Sequence, residues 1–335
     1  MSGDPKVEGE VPADFDGQTV AAVVRALVGD LPWSRARALV RRGVVECAGE
    51  VVNDPAQRVR AGQPIRVNAR AARPRDPDIV LLHVDPDVVV VDKPAGLITV
   101  PYQGNERDTL LHRTHAALRR HEGGRHLPPL RVVQRLDKDT SGALVFARNR
   151  RAERGLGEQF RKHSVHRLYL ALTYGRATTT VHDTFLVPDR GDHRRGSVRG
   201  HRSPPKQARR AITHVTLRQS FDARALQWTD AGSRNISLVE CTLRTGRQHQ
   251  IRIHLGEQGT PLIGERVYDR DYRGPRLQAF SEGRGRPMLH AAQLGFEHPT
   301  RDLPLRFESD LPSDFADLLR ALEETNGPSA GERTP

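Results

Sequence analysis

The stretch RLDKDTSG, residues 135–142, lies between two apolar runs, LRVVQ before it and ALVFA after it. Asp, Thr, Ser and Gly clustered together make tight turns, because their side chains bond nearby backbone and Gly accepts positive φ. Flanked by apolar runs, the stretch reads as a turn between two strands. Asp137 at its centre is then either a turn-former or a carboxylate held clear of the strands for chemistry. The rest of the chain decides between these.

The chain has 335 residues, enough for about two domains. With 36% hydrophobic and 28% charged residues it fits a soluble globular protein with polar tails. No apolar run approaches the ~20 residues of a membrane helix. The longest, IVLLHVDPDVVVVD, is broken by Asp85, Pro86 and Asp87. The start, MSGDPKVEGE, lacks a secretory pattern, so a cytoplasmic location is expected. Cys47 and Cys241 sit in no metal-ligand spacing and read as two small buried hydrophobes. The net charge of +12 points to a polyanionic partner, nucleic acid first. The sign of the charge carries that argument. The preference for Arg does not, although only five of the 53 basic residues are Lys. No membrane partner is expected, and a monomer is the default.

Residues 1–16 and 324–335 read as disordered tails rich in Gly, Pro and acids. ARAARPRDPD, 69–78, reads as a linker between a small module, 17–68, and a large one, 79–323. The small module opens with the helical pattern VAAVVRALV. A second helix is expected from an N-cap at Ser34 to Gly43. Ala36, Leu39 and Val40 share one face of it, with Arg37 and Arg41 on one flank and Arg35 and Arg42 on the other. Short strands VVEC, VV and PIRV follow. This suits RNA binding, or simply a solvated α+β module. On SRARALVRRGVVECAGEVV and AGQPIRV it resembles the RNA-binding domain first described in the small-subunit ribosomal protein S-four, with Gln63 where Asp is usual.

In the large module VVVVD, VVQRL, ALVFA, LYLALTYG and ISLVECTLR read as strands. RRAERGLGEQFRKH and QHQIRIHLGEQG read as helices. Runs of strands with few helices imply an α+β fold with a mainly antiparallel sheet. Neither GxGxxG nor GxxxxGK[ST] occurs, so no nucleotide cofactor is expected. DKPAG, 92–96, is a turn with a charged start. Tyr169 and Tyr174, five apart in one strand, fall on opposite faces. In LRTGRQHQIRIHL, 243–255, the cations Arg247, His249, Arg252 and His254 crowd a helix start, where the dipole disfavours them. They require a carboxylate or a bound anion, and Asp137 or RNA phosphate would serve. His249 and His254 are five apart and do not form the i, i+4 zinc pair, so no metal is expected.

Together, DKPAG, RLDKDTSG, Arg-Leu-Tyr at 167–169, TGRQHQIRIH, GTPLIGERVY and LHAAQLGFEHP resemble the RluA/RluD-type pseudouridine synthases over residues 17–323. The resemblance implies isomerisation of uridine to pseudouridine within RNA, most often in large-subunit rRNA, without cofactor or metal. It implies Asp137 as the catalytic aspartate and Tyr169 as the tyrosine beside the base, taking the proton from carbon 5. Arg252 would pair with the aspartate, and Arg135 would fill the helix as the base leaves. Base flipping costs a few kcal/mol, and a long planar side chain suits the gap. The basic run 190–210 would meet phosphates. Three positions depart from the family pattern. Gln134 stands where His is usual, Arg167 where Lys is common, and Glu265 where a Gly-Asp pair is common; the last two are expected to stay clear of the chemistry. The alternatives are a tRNA pseudouridine synthase and a catalytically silent RNA-binding or ribosome-assembly protein.

Overall fold

The computed structural model describes residues 6–326 except 30, 42–43, 53, 69–78, 103–105, 107, 125, 199–203, 233 and 282–284. The chain divides into two compact units between Asp78 and Ile79.

The first unit contains β1 (Lys6–Glu10), α1 (Val20–Leu27), α2 (Trp33–Arg41), β2 (Val45–Cys47), β3 (Glu50–Val51) and β4 (Pro64–Asn68). Its sheet runs in the order β1-β4-β2-β3. The Thr19 hydroxyl accepts from the Ala22 N–H and caps α1. Val20, Val23 and Val24 from α1 meet Ala36, Leu39 and Val40 from α2 over Ile65 and Val67. Two expectations are corrected. Residues 6–16 are not a disordered tail: β1 pairs along β4 from Lys6↔Asn68 to Glu10↔Pro64, and Val11 is buried. Their composition is poor for a strand, but a ladder partner supplies what propensity lacks. Ser34 also lies inside α2 and does not cap it, because the helix begins at Trp33. The expected linker, 69–78, lies outside the described residues.

The second unit contains β5 (Val80–Val84), β6 (Val88–Lys93), α3 (Leu110–His121), β7 (Arg131–Val132), β8 (Ser141–Ala147), α4 (Arg150–Lys162), β9 (His166–Tyr174), β10 (Thr180–Val187), β11 (Gly196–Ser197), β12 (Arg209–Asp222), β13 (Asn235–Leu243), α5 (Gln250–Glu257), β14 (Leu289–Glu297), β15 (Pro304–Glu308) and α6 (Ser313–Asn326). One large mixed sheet runs β11-β10-β12-β13-β9-β14-β8-β6-β5, with β15 against β14 and β7 against β8. Its described pairings are antiparallel except β14 with β8, where His290 faces Ser141 and Ala291 faces Gly142. Gly142 has φ +115°, and a Cβ there would come within 2.3 Å of the Ala291 carbonyl oxygen. Only glycine lets β14 lie against the end of RLDKDTSG.

The two tyrosines of β9 do fall in opposite cores. Tyr169 packs with Leu136, Leu243 and Ile251, and Tyr174 packs with Phe221, Leu277 and Phe315. VVQRL was expected to be a strand throughout. Only Arg131–Val132 pairs with β8, and the chain then leaves the sheet to build the site. Helix α3 was not among the expected helices. Its signals are present: Thr109 caps the His112 N–H, and Leu110, Thr114, Ala117 and Leu118 form one buried stripe. Helix α6 runs through Asn326, into the segment read as a tail.

Candidate active site

The turn that carries Asp137 is held by its own carbonyls. The Thr140 N–H donates to the Asp137 carbonyl at 3.2 Å, closing the turn. Lys93 of DKPAG has no exposed surface. Its Nζ donates to the carbonyls of Pro94, Lys138 and Thr140 at 3.0, 2.8 and 2.7 Å. The Thr99 hydroxyl donates to the Leu136 carbonyl at 2.7 Å and accepts from the Leu136 N–H at 3.2 Å. Arg286 donates to the Asp139 carbonyl at 3.1 Å. The carbonyls of residues 136 to 140 are thus each bonded from below or within. Burial pulls Lys93 down to about 7, against the charges of Asp139 and Asp137.

The Asp137 carboxylate is 27% exposed and is approached by an arginine and a histidine of the segment that opens α5. Arg252 Nη1 lies 3.7 Å from one of its oxygens and His249 Nε2 lies 3.8 Å from the other. Both distances are too long for a direct hydrogen bond. The remaining donors of Arg252 are taken by Glu265, with Nε at 2.7 Å and Nη2 at 2.8 Å. This is a bidentate pair on a carboxylate with no exposed side-chain surface. Glu265 also accepts from the backbone N–H groups of Arg266 and Val267. Burial opposes both charges, but the pairing outweighs it. Glu265 is held below the usual carboxylate range and Arg252 above the usual guanidinium value.

The start of α5 shows how the crowded cations are accommodated. His249 takes a left-handed conformation, φ 58°, at the N-cap, and its Nδ1 lies 2.7 Å from the Tyr268 hydroxyl. Gln250, buried beside it, accepts from the Arg247 N–H and the Thr245 hydroxyl and donates to the Ile212 carbonyl and the Thr213 hydroxyl. All four of its hydrogen-bonding positions are used, so the turn is rigid. Ile251 and Leu255 face the core, as their i, i+4 spacing implies.

Asp137, Tyr169, Arg252, Arg135, Arg247 and His249 all line one cavity of about 950 Å³. Arg135 is exposed and Tyr169 is buried in its wall. Burial pushes the Tyr169 hydroxyl up to about 12, with Arg167 opposing. Gln134 also lines the cavity, and its Nε2 is buried without a hydrogen-bond partner. Arg35 and Arg37 are exposed on α2 in the first unit. Arg41 lies on the same helix, and Arg42 lies outside the described residues. In the basic run, Arg190 is paired with Asp192 and Glu257, and Arg210 with Asp183, so part of its charge is neutralised within the fold. Arg199 and Arg202 lie outside the described residues. One group with metal-ligand spacing, Asp85, Asp87 and His298, occurs among the described residues. It is knit by its own bonds, His298 to Asp85 at 2.9 Å and Thr300 to Asp87 at 2.6 Å.

Two of the departures lie close to the site. Glu265 and Arg167 were read as not touching the chemistry directly. Glu265 grips the arginine nearest Asp137, and Arg167 lines the cavity. The signal for Glu265 was available, since the cations of TGRQHQIRIH required a carboxylate. It was sought in Asp137, whereas the direct ion pair is made by a residue that returns after α5.

The model of the RNA pseudouridylate synthase family matches residues 87–257, which include the Asp137 turn, β9 and α5. The chain belongs to the RNA pseudouridylate synthase family. This pseudouridine synthase, an isomerase of the RluA/RluD type, is 33% identical to the ribosomal large subunit pseudouridine synthase D of Xanthomonas campestris over 331 residues, 96% of this chain and 93% of the relative. It is 34% identical to the protein of that name from Xylella fastidiosa over 324 residues, 94% and 92% of the two chains. Among solved structures, human RNA pseudouridylate synthase domain containing 4 is 24% identical, with TM-score 0.55 over 72% of this chain and 92% of that one. Human RNA pseudouridylate synthase domain containing 1 is 23% identical, with TM-score 0.51 over 77% and 100%. These two likenesses concern the fold alone.

Proposed function

We propose that this pseudouridine synthase acts on large-subunit ribosomal RNA, with Asp137 as its catalytic group. The observation that carries the assignment is the Asp137 carboxylate itself. It is accessible in the cavity, free of hydrogen bonds among the described residues, and held on a turn whose carbonyls are bonded by Lys93, Thr99 and Arg286. A nucleophile or base must be both reachable and fixed. The reaction breaks the N1–C1′ bond of uridine, turns the base, forms the C5–C1′ bond, removes the C5 proton and leaves N1 protonated. Nothing is gained or lost overall, so no external reductant or group donor is required.

Arg252, anchored by Glu265, presents its third nitrogen to Asp137 and orients it. Tyr169 packs beside the flipped base. Its resting form is the phenol, so removing the C5 proton requires it first to pass its own proton on. Arg135, exposed on the cavity rim, takes the vacated place in the RNA. Arg247 and His249 line the entry. The first unit serves as an S-four-like RNA-binding domain, using Arg35, Arg37, Arg41 and Arg42. The relatives' names favour ribosomal RNA over tRNA. A monomer in the cytoplasm, with neither metal nor cofactor in the reaction, completes the proposal.

The test is tritium release from RNA labelled at carbon 5 of uridine, using total RNA from a strain lacking the gene. Wild-type protein is expected to release tritium. Asp137→Asn is expected to release none, at least a thousandfold less by order of magnitude, while binding RNA and melting as wild type does. Turnover by Asp137→Asn would remove the assignment.

A further inference from the structure

Arg167 is a buried guanidinium without a counter-ion among the described residues. It is 7% exposed. Nη2 makes two long bonds to backbone, to the Leu243 carbonyl at 3.3 Å and the Arg244 carbonyl at 3.5 Å. Nε is buried without a partner, and among the described residues Nη1 makes no hydrogen bond. One face lies over the Phe160 ring, with Cζ 5.7 Å from its centroid. Other sunken arginines of this unit are treated differently. Arg148, Arg190, Arg252 and Arg286, at 14, 13, 12 and 10% side-chain exposure, each pair with a carboxylate. A buried cation left unpaired is costly, so the absence at Arg167 calls for an anion from outside.

The surroundings say where that anion arrives. Arg167 lines the Asp137 cavity. Gly246 lines it too, and a Cβ on residue 246 would come within 2.6 Å of Arg167 Nη1. Glycine there gives the guanidinium room that any side chain would take. Arg161, His163 and Arg247 line the same cavity, and none of them brings negative charge. Uracil is neutral, so the anion an RNA substrate carries into this space is its backbone.

We propose that Arg167, seated against Gly246, forms a subsite for one phosphodiester of the RNA strand next to the target uridine. The guanidinium fork suits two phosphate oxygens. Arg167 and Tyr169 are two apart on β9 and so share a face. A phosphate held by Arg167 sets the distance at which the flipped base reaches Tyr169 and Asp137. Arg167 is a binding and positioning residue and not a participant in bond making. The inference rests on the proposed function above.

The experiment uses the full chain and an RNA hairpin carrying the uridine mapped in the deletion strain. Phosphates flanking that uridine are replaced one at a time by neutral methylphosphonate. Dissociation constants are read by fluorescence anisotropy in the Asp137→Asn background, where no turnover intervenes. One adjacent phosphate is expected to cost about tenfold in affinity. Arg167→Lys keeps that penalty in part. Arg167→Met binds the unmodified hairpin about tenfold more weakly and loses the penalty to within about twofold. Gly246→Ala, which leaves the charge but whose Cβ displaces the guanidinium, likewise loses it and decides the matter if Arg167→Met fails to fold. An undiminished penalty in both variants, or no sensitive phosphate in the parent, overturns the proposal. Tritium release by wild type from the same hairpin is measured in parallel, and its failure counts against the proposed function separately.

Discussion

Replacing Glu265 with Gln tests whether the active-site arginine is held by a buried carboxylate. Gln keeps the length and shape of the side chain and removes the charge. Its amide keeps one acceptor oxygen but turns an NH2 donor toward the other of the two Arg252 nitrogens, Nε and Nη2, which now sit 2.7 and 2.8 Å from carboxylate oxygens. Arg252 is left with Asp137, 3.7 Å from Nη1, as its remaining carboxylate. Breaking one side of a buried pair costs about 3–5 kcal/mol. At about 2–4 °C per kcal/mol for a domain of this size, the melting temperature drops about 6–20 °C. Arg252 is then drawn toward Asp137, and a shift of about 1 Å at a reacting group is worth about a hundredfold in kcat. Thermal melts and single-turnover tritium release measure the two effects. Glu265→Asp keeps the charge and should recover most of the stability. The double variant Glu265→Gln with Arg252→Met should be more stable than Glu265→Gln alone, because it removes the unpaired cation. A Glu265→Gln protein that melts within about 1 °C of wild type with unchanged kcat would refute the reasoning.

Lys93→Met removes two bonds to the Asp137 turn and one to Pro94; a loss of about 3 kcal/mol in stability and more than tenfold in kcat is expected, and an unaltered kcat would contradict the loop-holding role. His254 is pulled down to about 4, first by burial, and sits between the hydroxyls of Thr213 and Thr184. Its folded value lies below the unfolded 6.5, so its neutral form is fully stabilising above pH 6.5, and up to about 3 kcal/mol is lost as pH falls from 6.5 to 4. Urea melts at pH 7 and 5 should show a shallower acid loss in His254→Gln, and parallel slopes would exclude it. Tyr102 is 84% exposed on the cavity rim. Tyr102→Ala should leave the melting temperature unchanged and weaken RNA binding fivefold or more if it stacks on a base, worth about 1–3 kcal/mol; undiminished affinity would rule out the stacking.

The chain's linear order determined many of the elements and pointed to the residues proposed for the chemistry. The turn chemistry of RLDKDTSG, the alternation that puts Tyr169 and Tyr174 on opposite faces, and the excess of positive charge are local or additive properties, and the structure bears out the first two. What each charged group pairs with is neither local nor additive. Arg252 and Glu265 are thirteen positions apart, and Lys93 reaches Thr140 across 47. Burial, which turns a solvated charge into one that must find a partner, exists only once the sheet has formed. The acidic, Gly-containing segment Lys6–Glu10 is a strand only because β4 offers it a ladder. Asp137 is a turn residue by sequence. That its carboxylate stands open in the cavity, with Lys93, Thr99 and Arg286 holding the peptide beneath it, is a property of the tertiary structure alone.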